Sequence, residues 1–142
     1  MSFSFKYKPV LLKSGRKTHR PLIPFTLIGN NKEYGFFGIL DSGSDLTVLP
    51  KEVADFLGVK KIGEDELTGI SNDKVKVDLG YINIIFGKNR EEREYTLPIL
   101  INEKSDNIII GRAGFFEQFK ITFCEAEKRM TFKKMFEKQK YK

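Results

Sequence analysis

Phe36-Phe37-Gly38-Ile39-Leu40-Asp41-Ser42-Gly43-Ser44-Asp45-Leu46-Thr47-Val48-Leu49-Pro50 is the stretch whose reading decides the fold. An apolar run stops at a carboxylate. Two hydroxyls, a glycine and a second carboxylate follow, and then a second apolar run begins. Two strands flanking a tight polar loop have this pattern. Asp41 follows Ile39 and Leu40 directly, which puts a carboxylate at the edge of a core. A carboxylate in that setting must be hydrogen-bonded, paired or catalytic.

Upstream of the loop, Pro21 to Ile28 is apolar and β-branched, Gly29-Asn30-Asn31-Lys32 is a turn, and Tyr34 to Leu40 returns. The spacing predicts a hairpin whose second strand delivers Asp41. Phe3, Phe5 and Tyr7 alternate with polar residues, which predicts a strand, and Pro9 places it at an edge. Ser14 to Arg20 reads as a basic loop. Downstream, Leu46 to Leu49 is a short strand and Pro50 opens a helix with Val53, Phe56 and Leu57 as its apolar stripe. Gly58 is its left-handed cap.

Leu67 to Ser71 and Lys74 to Val77 form the arms of a hairpin with Ser71-Asn72-Asp73 near the tip. Leu79 to Phe86 and Glu94 to Ile101 are paired strands, with Pro98 marking an edge or bulge. Ile108-Ile109-Ile110-Gly111 is a buried strand stopping at glycine. Ala113 to Phe119 reads as a short amphipathic helix with Phe115, Phe116 and Phe119 inward. Lys120 to Cys124 and Arg129 to Lys133 make a last hairpin. Many short strands at roughly ten-residue spacing predict an all-β, small closed-barrel-like fold with two short helices.

The chain has 142 residues, 40% hydrophobic and 31% charged, which suits one domain with a single core and excludes a disordered chain. No apolar run approaches the roughly 18 residues of a membrane helix. The N-terminus has no apolar segment of the secretory type. A single cysteine cannot close an internal disulfide, which predicts a cytoplasmic setting. The formal charge of +6 sits at the ends. Residues 1–20 carry six Lys/Arg and no acid, and residues 133–142 carry five Lys and one Glu. The span between them has 14 basic and 18 acidic residues, so +6 − 4 + 4 = +6. The expected organisation is a basic extension over 1–20, a domain over 21–133 and a charged tail over 134–142. Solvated termini account for the basic ends without a nucleic-acid partner, since neither zinc-finger spacing nor an aromatic-basic motif accompanies them.

Asp41-Ser42-Gly43 after an apolar strand, with Ile109-Ile110-Gly111-Arg112 about seventy residues later, resembles the retroviral-protease-like (retropepsin-like) aspartic peptidases. The likeness covers roughly Leu22 to Lys133. It rests on the ordered set: apolar strand, Asp-Ser-Gly-Ser, Thr-Val-Leu, a hairpin with glycine, a long hairpin, then Ile-Ile-Gly-Arg and a helix. The resemblance implies an aspartic endopeptidase acting on extended polypeptide. Such an enzyme needs two carboxylates and this chain offers one triplet, so it also implies a symmetric homodimer in which two copies of Asp41 meet. Two carboxylates about 3 Å apart share one proton. The ionised one activates a water, and the protonated one polarises the scissile carbonyl. No cofactor and no metal is needed.

The same resemblance assigns supporting roles. Ser42 hydrogen-bonds across the dimer, and Gly43 brings the backbone close to its mate and to the carboxylates. Ser44 stands where retroviral enzymes have alanine and the two-domain pepsin-like enzymes have Ser or Thr. Its hydroxyl is expected to donate to the carboxylate, so that Ser44→Ala would move activity toward higher pH. Asp45 and Arg112 match an acid and an arginine that brace the loop, and are expected to form a partly buried ion pair serving dimer stability. Gly69, Ile70, Ser71 and Asn72 correspond to the flap that closes over substrate. The Ser71-Asn72-Asp73 tip departs from relatives that have a further glycine there.

Other candidates are weaker. His19 and Cys124 are single copies, which makes a Cys–His dyad or a zinc site poor. Glu91-Glu92-Arg93-Glu94 reads as a charged strand edge. The alternative function is a non-catalytic dimeric peptide-binding or assembly module that keeps the fold. The expected partners are a second copy and a peptide or protein substrate, with no membrane partner and nucleic acid disfavoured.

Overall fold

A computed structural model describes residues 2–68 and 74–135. The chain begins with β1 (Ser2–Lys6), β2 (Lys8–Leu11) and β3 (Lys17–Arg20). The alternation of Phe3, Phe5 and Tyr7 does form a strand, and β1 is an edge, paired only with the last strand. Ser14 to Arg20 is not all loop. Lys17–Arg20 pairs antiparallel with Lys8–Leu11, with Pro9 opposite His19 and Val10 opposite Thr18.

Next come β4 (Leu22–Gly29) and β5 (Lys32–Leu40), joined through Asn30 and Asn31, both at positive φ. Asparagine tolerates that conformation, and it matches the twist of a tight hairpin. β6 (Thr47–Pro50) runs straight into α1 (Lys51–Leu57), which Gly58 caps at φ 66°. The helix buries Ala54 and Leu57, and Phe56 is exposed. The expected stripe thus turns by part of a turn. Phe56 packs its ring on Tyr34 at 4.7 Å and its carbonyl accepts from the Asn30 side chain at 2.7 Å, which ties the helix to the first hairpin.

β7 (Gly63–Thr68) pairs with the first part of β8 (Lys74–Phe86), a single strand where two were expected. Asp78 does not interrupt it, because its carboxylate is engaged by Lys61 at 3.1 Å. β9 (Arg93–Asn102) follows. It pairs with β8 along its length and with β6 only from Ile99 onward, so Pro98 sits one residue before the second neighbour joins. β10 (Ile109–Ile110), β11 (Phe119–Cys124) and β12 (Arg129–Lys134) complete the chain. The helix expected over Ala113–Phe119 is only a 3-10 turn at Phe116–Gln118, since Phe119 already belongs to β11. Among the described residues there is one α-helix, not two.

The main sheet has the order β4-β5-β10-β6-β9-β8-β7, and β4 also pairs with β8. That extra pairing closes six strands into a barrel and leaves β7 outside, attached to the part of β8 that runs beyond β4. The interior is filled by Ile23, Leu49, Ile84, Leu97 and Ile110, all fully buried. The three-stranded sheet β1-β12-β11 covers one end. Here the phenylalanines gather: the Phe86 ring lies 5.0 Å from Phe132, 5.1 Å from Phe115 and 5.5 Å from Phe3. Offset and edge-on ring pairs at these separations are favourable beyond their buried area. Phe3 and Tyr7 therefore belong to the core, and β1 is hydrogen-bonded to β12.

Candidate active site

Asp41 stands where β5 ends. The parallel pairing of β5 with β10 continues one step past the strand, with the Asp41 N–H donating to the Ile110 carbonyl at 3.0 Å. The chain then turns back on itself, and the Ser44 N–H donates to the Asp41 carbonyl at 3.2 Å. Inside that turn the Gly43 N–H donates to Asp41 Oδ1 at 2.9 Å. A Cβ on Gly43 would lie 3.2 Å from the same oxygen, so the absence of a side chain leaves the carboxylate room. Asp41 is half-buried, and Ser42 and Gly43 beside it are exposed.

The loop is fastened from outside by the segment after β10. Arg112 N–H donates to the Ser44 carbonyl at 2.9 Å and Ala113 N–H to the Asp45 carbonyl at 3.0 Å. Below them Gly111 N–H donates to Thr47 Oγ1 at 3.1 Å. Thr47 is 1% exposed, and this bond satisfies its hydroxyl. Thr47 and Gly111 stand in the motifs that carry the resemblance, but residue types alone pointed to neither this bond nor the close approach of Gly111. The available signal was a hydroxyl within the apolar run that follows the loop.

The single chain differs from expectation in the hydrogen-bond partner of Ser44 and in the burial of the Asp45–Arg112 pair. Ser44 Oγ donates to the Leu46 carbonyl at 2.7 Å. A hydroxyl has one hydrogen, so this bond leaves none for the Asp41 carboxylate. Ser44→Ala is therefore expected to leave the pH dependence of activity in place and to cost about 1 kcal/mol of stability. A pH–rate profile alongside a thermal melt checks both. Asp45 and Arg112 do pair through Oδ1 and a terminal guanidinium nitrogen, but the pair is not partly buried. The side chains are 86% and 53% exposed, so within one chain the pair contributes little.

Gly69, Ile70, Ser71 and Asn72 lie outside the described residues. The arms that lead to them are described, and their base is held by Lys61, which bridges Glu64 at 2.6 Å and Asp78 at 3.1 Å. Hydrogen bonding to these two carboxylates raises the Lys61 pKa and keeps the amine charged. Leu67 on β7 is an exposed apolar residue of this hairpin.

Among the described residues no ion pair or side-chain hydrogen bond joins Asp41 to a second acid. The other carboxylate of the loop, Asp45, is taken by Arg112. His19 is exposed on β3 and Cys124 is half-buried at the end of β11, in separate sheets. Among the described residues no group of three or more His, Cys, Asp or Glu is placed to hold a metal. A cleft of about 490 Å³ lies between the start of α1 and residues 103–106, and Asp41 does not line it. What one chain presents among the described residues is a half-buried carboxylate, oriented by the Gly43 N–H, beside exposed Ser42 and Gly43. That arrangement can take or give one proton.

No protein-family model matches the sequence, and no curated protein matches it. Solved structures do. A retropepsin-like aspartic protease from Rickettsia conorii aligns over 93% of this chain and 91% of its own, with 18% identity and a TM-score of 0.55. The EIAV protease complexed with the inhibitor HBY-793 aligns over 72% of this chain and 88% of its own, with 20% identity and a TM-score of 0.49.

Proposed function

We propose that this chain, whose fold is that of the retropepsin-like proteases, is one half of an aspartic endopeptidase. The observation that carries the reading is the setting of Asp41: a half-buried carboxylate beside exposed Ser42 and Gly43, held by a loop stitched at both ends to the β10 segment. A second copy related by a two-fold axis supplies the second Asp41, and closed two-fold dimers are the commonest oligomers. Juxtaposed carboxylates then hold a single proton between them, because both cannot ionise cheaply at contact distance.

In that pair the ionised Asp41 takes a proton from a water as it attacks the peptide carbonyl. The protonated Asp41 donates to the carbonyl oxygen and so offsets the charge that develops there. Collapse of the tetrahedral intermediate sends a proton to the leaving nitrogen. The Gly43 N–H keeps one carboxylate oxygen oriented throughout. Substrate lies as an extended strand between the loop and the β7–β8 hairpin, its main chain hydrogen-bonded and alternate side chains in apolar contact with residues such as Leu67.

A site divided between two chains has a kinetic signature. Hydrolysis of a quenched fluorescent peptide per mole of chain is expected to rise with chain concentration and to level off once dimers predominate. Sedimentation velocity on the same samples should give the same midpoint. Specific activity independent of concentration down to a range where only monomer sediments would exclude the shared site.

A further inference from the structure

The β2–β3 hairpin is the one paired ribbon of the described residues that belongs to neither sheet. None of residues 8–20 is among the buried core, so the hairpin stands off the barrel. Its register sorts the side chains. Lys8, Val10, Thr18 and Arg20 share the face turned to the body, where the Lys8 ammonium sits 4.6 Å over the Phe37 ring. Pro9, Leu11, Lys17 and His19 share the other face, and all four are exposed. Leu11 is 70% exposed, the most exposed of the large apolar side chains among the described residues. The tip beyond it carries Lys13 and Arg16, also exposed. Lys13, Arg16 and Lys17 make no ion pair among the described residues, and residues 1–32 contain no acid at all.

We infer that this hairpin is a docking element for an anionic lipid surface. The charge complements a layer of acidic headgroups, which attracts clustered Lys and Arg within a Debye length. Leucine decides between polyanions. At a bilayer, Leu11 enters the boundary between headgroups and acyl chains while the cations around it stay at phosphate level. Against a nucleic-acid backbone the same leucine stays in water. On the exposed face His19 is the one aromatic ring on which a base could stack, and it leaves Leu11 without an apolar partner on a nucleic acid. No helix of the described residues is long and apolar enough to cross a membrane. The contact is a peripheral one, reversible and weakened by salt, and it would hold the protein flat against the surface by one ribbon.

The test uses the full chain and flotation with vesicles of phosphatidylcholine alone or with about 30% phosphatidylserine, at low and high salt. Binding to the anionic vesicles at low salt should exceed binding to neutral ones by at least about tenfold and fall as salt rises. Lys13→Glu, Arg16→Glu and Lys17→Glu together should abolish it. Leu11→Ser alone should weaken it several-fold with an unchanged salt dependence. A thermal melt confirms that the variants stay folded. Equal binding to both vesicle types, or no effect of Leu11→Ser, would overturn the inference. So would tighter binding of a fluorescent 20-mer duplex that Leu11→Ser leaves unaltered, an outcome that would make nucleic acid the occupant.

Discussion

Asp41→Asn is expected to lower peptide hydrolysis by at least about a thousandfold, with the dimer and the fold retained. The two side chains have the same shape, and the amide oxygen can still accept the Gly43 N–H bond that Oδ1 accepts at 2.9 Å. What is lost is the ability to gain or release a proton, and a dimer of the variant loses it twice. Neither the base that activates water nor the acid that serves the carbonyl then remains. Mixing sharpens the result. Unsubstituted chain titrated with an excess of Asp41→Asn chain should lose activity faster than dilution alone explains, because mixed dimers carry one carboxylate. Hydrolysis that persists in the purified variant would show that Asp41 is not the catalytic acid. An unsubstituted chain that binds extended peptides without cutting them would favour the peptide-binding module instead.

The second large effect is expected at Gly111, where the site and the stability of the fold meet. A Cβ there would fall well inside van der Waals contact of the Leu46 carbonyl group and 2.9 Å from the Ser44 carbonyl oxygen. These are backbone atoms, held by the bonds from Arg112 to Ser44 and from Gly111 to Thr47, so neither side can move cheaply. Overpacking typically costs about 1–3 kcal/mol, and a backbone clash belongs at the upper end. Gly111→Ala should therefore lower the melting temperature by roughly 10 °C. It should also reduce activity at temperatures where the variant is still folded, because the loop that aims Asp41 must shift. Gly35→Ala is the matched control. Nothing lies within 4 Å of a Cβ at that position, and its φ is not in the left-handed region, so the melting temperature should hardly move. Equal behaviour of the two variants in melts and assays would contradict this account.

Much of the barrel was legible in the residues. The alternation in Phe3, Phe5 and Tyr7, the turn at Asn30-Asn31, the left-handed Gly58 and the stop at Gly111 depend on local backbone preferences and on which face of a strand is buried. The helix expected at Ala113–Phe119 failed for a physical reason. The inward spacing of Phe115, Phe116 and Phe119 fits a helical turn, but the pairing of Phe119 with Lys134 draws the last of them into a sheet. A contact 15 residues away outweighed the local pattern. The β2–β3 ribbon was missed because its basic residues mask the pairing, which has no buried face to reveal it.

The sequence by itself determined where the candidate site lies. A carboxylate after an apolar strand, followed by Ser-Gly-Ser, is a local arrangement, and strand and loop together place it at the edge of a core. Only the tertiary structure decided what each loop side chain does there. Whether the Ser44 hydroxyl reaches the carboxylate or the Leu46 carbonyl depends on the curvature of the turn, which the β10 segment imposes from some 65 residues downstream. The pairing of Asp45 with Arg112 was expected from the sequence, but the exposure of both side chains in the single chain follows only from how the two segments meet. Hydrogen-bond partners are set by distances of a few tenths of an ångström between pieces of chain far apart in sequence, and residue types alone do not carry that information.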